Sequence, residues 1–235
     1  MQDLSTRYAL LTRLPLLQGI GSRELLAWED ALRLDIDELP ASKLPLIRQG
    51  DTCSQLLCLV AGELQREHRD ADGYYTTRST LKAPAVIEVD RLFGLKPTYE
   101  HTYRAKTDIK VLGIRKALLG SHLMKSEVFR LNLLNSLSAL AQKRAEALRP
   151  HRLEGAEERL KHFIGTLFPD AEGEAELLIQ MKVLARYTGM ARLSASRLLN
   201  RWDKEGTIRL GREHFTIHDI QSFRQTSPSQ SIEST

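Results

Sequence analysis

Three arginines, Arg192, Arg197 and Arg201, recur within the stretch Met181 to Trp202, MKVLARYTGMARLSASRLLNRW, with no acidic residue between them. A guanidinium is a permanently charged fork whose donors match the O6/N7 edge of guanine and the oxygens of a phosphate. The stretch that carries them has the pattern of two short helices joined by a tight turn. Leu184 and Ala185 are expected to face inward on the first helix, and Ala195 and Leu198 on the second. Gly189 sits where the turn requires positive φ, and Met190 supplies an apolar residue just beyond it. A helix-turn-helix that directs arginines outward is built to enter a major groove. On this reading Arg192, early on the second helix, reaches a base edge, and Arg197 serves base or phosphate. Arg201 continues the same face, and Leu193 offers an apolar contact to a thymine methyl. Ser194, Ser196, Lys182 and Arg212 are candidate phosphate contacts, which position a protein without specifying sequence. The alternatives are a plain packing hairpin with a solvated polar face, or a helix pair that binds protein.

The distribution of charge agrees with the first reading. The 235-residue chain carries a net charge of +4, with 42% hydrophobic and 27% charged residues, as in an ordinary globular protein. Between Gln180 and Gln225 there are nine Lys and Arg against four Asp and Glu, so the rest of the chain is nearly neutral. Positive charge gathered on one segment is the footprint of a phosphate-binding surface. The two cysteines, Cys53 and Cys58, are too few for a four-thiolate zinc or iron–sulfur site and are expected to be free thiols. The first twenty residues have arginines among their apolar positions. They lack both a membrane-spanning run and the pattern of a secretion signal, so a cytoplasmic location is expected and no membrane partner.

Other elements must hold this segment in place. Leu14-Pro15-Leu16-Leu17 precedes Ser22, which can cap a helix bearing Leu25, Leu26 and Trp28 on its apolar side. From Leu44 to Ile114 the period becomes that of strands: Leu56 to Val60, Tyr74 to Leu81, Ala85 to Val89, Tyr103 to Ala105 and Val111 to Ile114. Turn signals separate them, of which Asp72-Gly73 is the clearest, and the spacing suggests a β-barrel, sandwich or jelly roll. Ser126 to Arg149 lacks glycine and proline. Leu134, Leu137, Ala141, Ala145 and Leu148 lay an apolar stripe along it, suited either to packing on its own domain or to pairing with a second copy. Pro150 breaks this helix. Another helix, about Gly155 to Leu167, is expected to bury Leu160, Phe163, Ile164 and Leu167. Beyond the arginines, Thr207 to Leu210 and His214 to Ile217 flank Gly211-Arg212-Glu213 as a β-hairpin wing, followed by a helical turn over Asp219 to Phe223. The last ten residues have the Ser/Gln/Thr composition of a disordered tail.

This order resembles the Crp/Fnr superfamily of bacterial transcription regulators over nearly the whole chain. Leu14-Pro15-Leu16-Leu17-Gln18-Gly19 is similar to its opening segment, Ile47-Arg48-Gln49-Gly50-Asp51 and Val60-Ala61-Gly62-Glu63-Leu64 to its glycine turns, and Arg104-Ala105-Lys106-Thr107 to the strand after its ligand pocket. Thr216-Ile217-His218-Asp219-Ile220 after the wing is similar as well. Arg192 and Arg197 fall where the family places arginines that contact guanine and backbone, whereas Leu193 stands where several relatives carry glutamate. The resemblance implies an α+β chain. It divides into a cyclic-nucleotide-binding-like β-roll (jelly-roll) sensor domain over residues 1–125, a dimerisation helix over 126–150, a winged helix-turn-helix over 151–225 and a tail over 226–235. It implies a homodimer on double-stranded DNA, with RNA polymerase and an unidentified small-molecule effector as further candidate partners, no cofactor and no catalytic activity.

The effector pocket departs from the family's cyclic-nucleotide pattern. Members that bind cyclic AMP carry a Gly-Glu pair before a short helix and an Arg-Ser or Arg-Thr pair after it. Glycine and backbone N–H groups cradle the phosphate, arginine neutralises it and glutamate takes the ribose hydroxyl. Here Glu88 and Val89 occupy the first pair and Tyr99 and Glu100 the second. An acidic group in place of the phosphate cradle, without the arginine, predicts no cyclic AMP binding in that mode. Two other readings remain. A haem sensor would need axial ligands from the scattered His68, His101, His122, His151, His162, His214 and His218. A jelly-roll metal enzyme would need His and carboxylate ligands on facing strands, and no His-x-His pair occurs there.

Overall fold

The computed structural model describes residues 4–32, 34–147 and 155–224, which group into two compact units. The first comprises the chain up to Arg69 and residues Thr80–Gln142; the second comprises Asp70–Ser79 and the chain from Lys143 onward.

In the first unit, α1 (Leu4–Leu11) and α2 (Ser22–Leu32) precede β1 (Ile36–Leu39), β2 (Pro45–Ile47), β3 (Gln55–Ala61) and β4 (Glu63–Arg69). Strand β5 (Tyr75–Lys82) crosses the boundary between units. It is followed by β6 (Ala85–Ile87), β7 (Thr102–Ala105), β8 (Ile109–Arg115), α3 (Lys116–Ser121) and α4 (Glu127–Ala147). One antiparallel sheet has the order β1-β8-β3-β6, and β7 pairs with both β2 and β4 in another. All five residues from Leu56 to Val60 in β3 are buried. A strand covered on both faces is apolar throughout rather than alternating, which explains the continuous run. Leu14, Leu16 and Leu17 are buried with Leu25, Trp28, Phe129 and Leu133 in the same core as the strands. The ring of Trp28 meets Phe129 edge-on at 6.3 Å. Asn132 of α4 donates to the carbonyls of Leu16 (3.2 Å) and Gln18 (2.8 Å), which fastens the opening segment to the helix. On α2, Leu25 and Trp28 face this core as expected, but Leu26 is exposed.

Gly62 illustrates why the turn between β3 and β4 needs glycine. Its φ is +87°, and a Cβ there would lie 2.3 Å from the Asp108 carbonyl oxygen. Both free cysteines are buried; the apolar surroundings of Cys58 push its thiol up to about 12, far from any reactive thiolate.

The second unit contains α5 (Ala156–Leu167), β9 (Ala175–Ile179), α6 (Met181–Thr188), α7 (Arg192–Lys204), β10 (Ile208–Gly211) and β11 (His214–Ile217), ending in a 3-10 turn over Ile220–Phe223. The wing strands pair from Ile208↔Ile217 to Gly211↔His214, which leaves Arg212 and Glu213 as a two-residue loop. Strand β11 pairs in turn with β9, and β9 with residues 75–79 of β5. The sequence reading put those five residues in the β-roll with everything before residue 126. They instead group with the second unit, where they pair with β9 and Arg78 pairs with Glu176 at 3.1 Å. On α5 only Leu160 and Ile164 of the expected four are fully buried; Phe163 and Leu167 are partly covered, and Phe163 stacks on Tyr187 at 5.3 Å. Among the described residues no helix is long and apolar enough to cross a membrane.

Candidate nucleic-acid interface

Helices α6 and α7 are joined as their sequence predicts. Gly189 has φ +63° and ψ +32°, and Met190 N–H donates to the Ala185 carbonyl at 2.9 Å, a glycine-terminated helix end. Leu184, Ala185 and Ala195 are buried where the two helices meet. The second helix is anchored by Leu199 and Trp202 rather than by Leu198, which is only partly covered. Ala195, Leu199 and Trp202 follow the i, i+4, i+7 spacing of one helix face, and Trp202 is the largest side chain on it. Its ring meets Phe223 edge-on at 5.3 Å, and its indole N–H donates to Glu157 Oε1 at 3.1 Å.

With that face inward, Arg192, Leu193, Ser194 and Arg197 are exposed on the other side of α7. Leu193 leaves 61% of its surface in solvent. No acidic group among the described residues pairs with Arg192 or Arg197. Lys182 is exposed at the start of α6 and Arg212 at the wing tip, with Arg209 exposed beside it on β10. A groove of about 300 Å³ separates α6 and the start of α7 from the wing, and Lys182, Arg192, Leu210 and His214 line it. Two expected contacts are otherwise engaged. Arg201 is ion-paired with Glu157 and lies 3.6 Å from Glu205, so its charge is neutralised within the protein. The Ser196 hydroxyl accepts from Asn200 Nδ2 at 3.3 Å and is half-buried. The signal missed for Arg201 was Glu157, 44 residues earlier on another helix.

Glu157 is the polar hub of this unit. Burial by itself disfavours its ionised form, but hydrogen bonds from Trp202, Lys161 and Arg201 outweigh that and hold its carboxyl below the usual 4.5. A carboxyl depressed by folding stabilises the fold above its unfolded value and loses that contribution as pH falls through the folded value. Glu157→Gln should therefore lower the melting temperature at neutral pH, with the difference from wild type shrinking as the pH falls below 4.5 and through the lower folded value. Glu157→Ala should cost more, about 1–3 kcal/mol, because the buried indole N–H then has no acceptor. Thermal melts of the three proteins across pH 3–7 measure both effects.

The four residues expected to line an effector pocket all make contacts within the protein. Val89 and Tyr99 are buried in the core, and the Tyr99 hydroxyl donates to the Gln55 carbonyl at 3.4 Å. Glu100 is ion-paired with Arg91. The Glu88 carboxylate is turned inward, where Glu100 N–H and His101 N–H donate to it at 2.6 and 3.0 Å. His68 and His101, scattered in sequence, lie with ring centroids 5.5 Å apart. Among the described residues no three His, Cys, Asp or Glu are arranged to hold a metal ion.

A helix-turn-helix and wing that follow a β-roll, with exposed arginines on the outer face of the second helix, define a DNA-binding module. Residues 158–226 match the family model of the Crp-like helix-turn-helix domain. The fold is also that of the catabolite activator protein of Thermus thermophilus, at 18% identity and TM-score 0.50, with 89% of this chain and 96% of that one covered. The sensor domain of the transcriptional regulator DNR from Pseudomonas aeruginosa aligns at 17% identity and TM-score 0.50, covering 65% of this chain and all of that one. No protein of curated function matches the sequence. Residues 158–226 therefore carry a Crp-like helix-turn-helix domain, and the chain as a whole has the fold of the Thermus thermophilus catabolite activator protein.

Proposed function

We propose that this regulator binds duplex DNA as a homodimer, that Arg192 and Arg197 of α7 read each half-site, and that cyclic AMP is not its effector. The observation that carries the first part is the outer face of α7, where two exposed arginines have no carboxylate partner among the described residues while the third, Arg201, does. In this reading Arg192 pairs with a guanine edge, Leu193 packs on a thymine methyl, and Ser194, Lys182 and Arg212 hold phosphates. Ser196 and Arg201 are assigned to holding α7 in place. The dimer is inferred from the outer side of α4, where Leu131, Leu134, Ala141 and Ala145 are exposed at coiled-coil spacing. Leu137 is half-buried against its own core instead, and Leu148 lies outside the described residues. Indifference to cyclic AMP follows from the absence of an arginine at residue 99 and from the internal engagement of Glu88 and Glu100.

The test is a gel shift with a sequence selected from a random pool, at 50 and 200 mM salt, with and without cyclic AMP. A dimer that neutralises about 6–10 phosphates loses about 10³–10⁵ in affinity over that range. An affinity that ignores salt overturns the DNA assignment, and tightening by cyclic AMP overturns the effector assignment.

A further inference from the structure

The Glu88 carboxylate has the contacts of a bound ligand. Its side chain is 8% exposed, and four donors converge on it. Oε2 accepts the N–H of Glu100 at 2.6 Å. Oε1 accepts the N–H of His101 at 3.0 Å and the Tyr103 hydroxyl at 3.1 Å, and it lies 2.6 Å from His101 Nδ1. Two consecutive backbone N–H groups flanked by side-chain donors form an oxyanion-binding concavity of the kind that takes carboxylates and phosphates. Beside it, Arg91, which an external anion would otherwise attract, is held by Glu100 and lies 3.5 Å from Asp90.

Backbone geometry points the same way. Glu88 has φ +39° and ψ +51°, a left-handed conformation that glycine adopts freely and a side-chain-bearing residue adopts at a cost. The buried hydrogen bonds of the carboxylate offset that strain.

We infer that residues 100, 101 and 103 form an oxyanion-binding site whose resident ligand is the protein's own Glu88, so that the sensor domain is closed by an internal carboxylate. This rests on the reading that the pocket takes no cyclic nucleotide, and it adds what fills the pocket instead. An anion from solution can enter only if Glu88 leaves, and removing its side chain should create a site for a small carboxylate.

The experiment compares Glu88→Gly, Glu88→Ala and Glu88→Gln in the full chain by thermal melts, in sodium formate and in sodium chloride at equal ionic strength. Glu88→Ala in chloride should melt about 10 °C below wild type, since several buried donors lose their acceptor. Glu88→Gly should lose less because it also releases the left-handed strain. In about 0.1 M formate both should recover at least a third of the loss, while wild type stays unchanged. Glu88→Gln fills the space and directs an amide NH₂ at the donors, so it should be destabilised and unresponsive to formate. Equal behaviour of Glu88→Gly in formate and chloride, including failure to fold in both, overturns the proposal. So does a formate response of Glu88→Gln as large as that of Glu88→Ala. Titrating wild type with cyclic AMP in a calorimeter tests the underlying reading separately: binding there defeats that reading whatever formate does.

Discussion

Leu134→Asp should yield a folded monomer that has lost at least about 100-fold in affinity for a two-half-site operator. Leu134 is 59% exposed and Leu131 53%, on a helix whose other side buries Phe129 and Leu133 in its own core. Exposed leucines three apart, continued along the helix by the exposed Ala141 and Ala145, form an apolar stripe that no described residue buries. Covering a leucine contributes about 1.5–3 kcal/mol, and in a twofold pair each residue counts twice. In the proposed dimer an aspartate at residue 134 would face its own symmetry mate, so repulsion and desolvation would add to the lost apolar contact. The fold should survive because residue 134 makes no core contact, and the melting temperature of the monomer should match wild type at low protein concentration. DNA affinity falls because two half-sites are no longer gripped by one linked pair of readers, an advantage worth about 10²–10⁴. Sedimentation velocity and a gel shift on the same samples decide the matter, with Leu133→Asp as the control that should unfold. If Leu134→Asp sediments as a dimer, α4 is not the seam.

What could be read from the sequence depended on how far each signal reached. The two helices, Gly189 between them and the wing were legible because turn chemistry and helical period act over a few residues. The apolar β3 was legible for the same reason. Strand β4 was not, since Arg66 lies at a buried position and interrupts the alternation that marks a half-buried strand. Strand β9 was overlooked although Ala175, Leu177 and Ile179 alternate inward, because five residues between helices give a weak signal. Pairing partners distant in sequence were beyond reach. Nothing local in Tyr75–Ser79 indicates that it pairs with Ala175–Ile179, so much later in the chain. The inward turn of Glu88 depends on N–H groups 12 and 13 residues further on. The sequence did indicate that residue 88 departs from the family's pocket. It could not indicate that the Glu88 carboxylate turns onto the N–H groups of Glu100 and His101. On α4 the stripe was legible to within one turn: Leu137 belongs to the core side, and Leu131 to the outer side.

Arg192→Ala should lower affinity for the selected operator by about 10- to 100-fold while leaving affinity for random DNA nearly unchanged. Arg192 is the first residue of α7, exposed at the rim of the groove between the helices and the wing. A recognition helix presents its N-terminal residues to base edges, and a bidentate pair with guanine is worth about 1–3 kcal/mol of discrimination. A residue that reads a base contributes only where that base is present, so its loss relaxes the preference at one position of each half-site. The neighbouring cations should separate into different classes. Lys182→Ala should weaken binding to every sequence alike and make the salt dependence shallower by about one ion per protomer, as expected for a phosphate contact. Arg201→Ala should change DNA binding little and instead lower the melting temperature, because its guanidinium is paired with Glu157. Selection from a random pool with each variant, at two salt concentrations, reads preference and slope together. If Arg192→Ala selects the wild-type motif with undiminished preference, base reading lies elsewhere on α7, and Arg197 becomes the first residue to test.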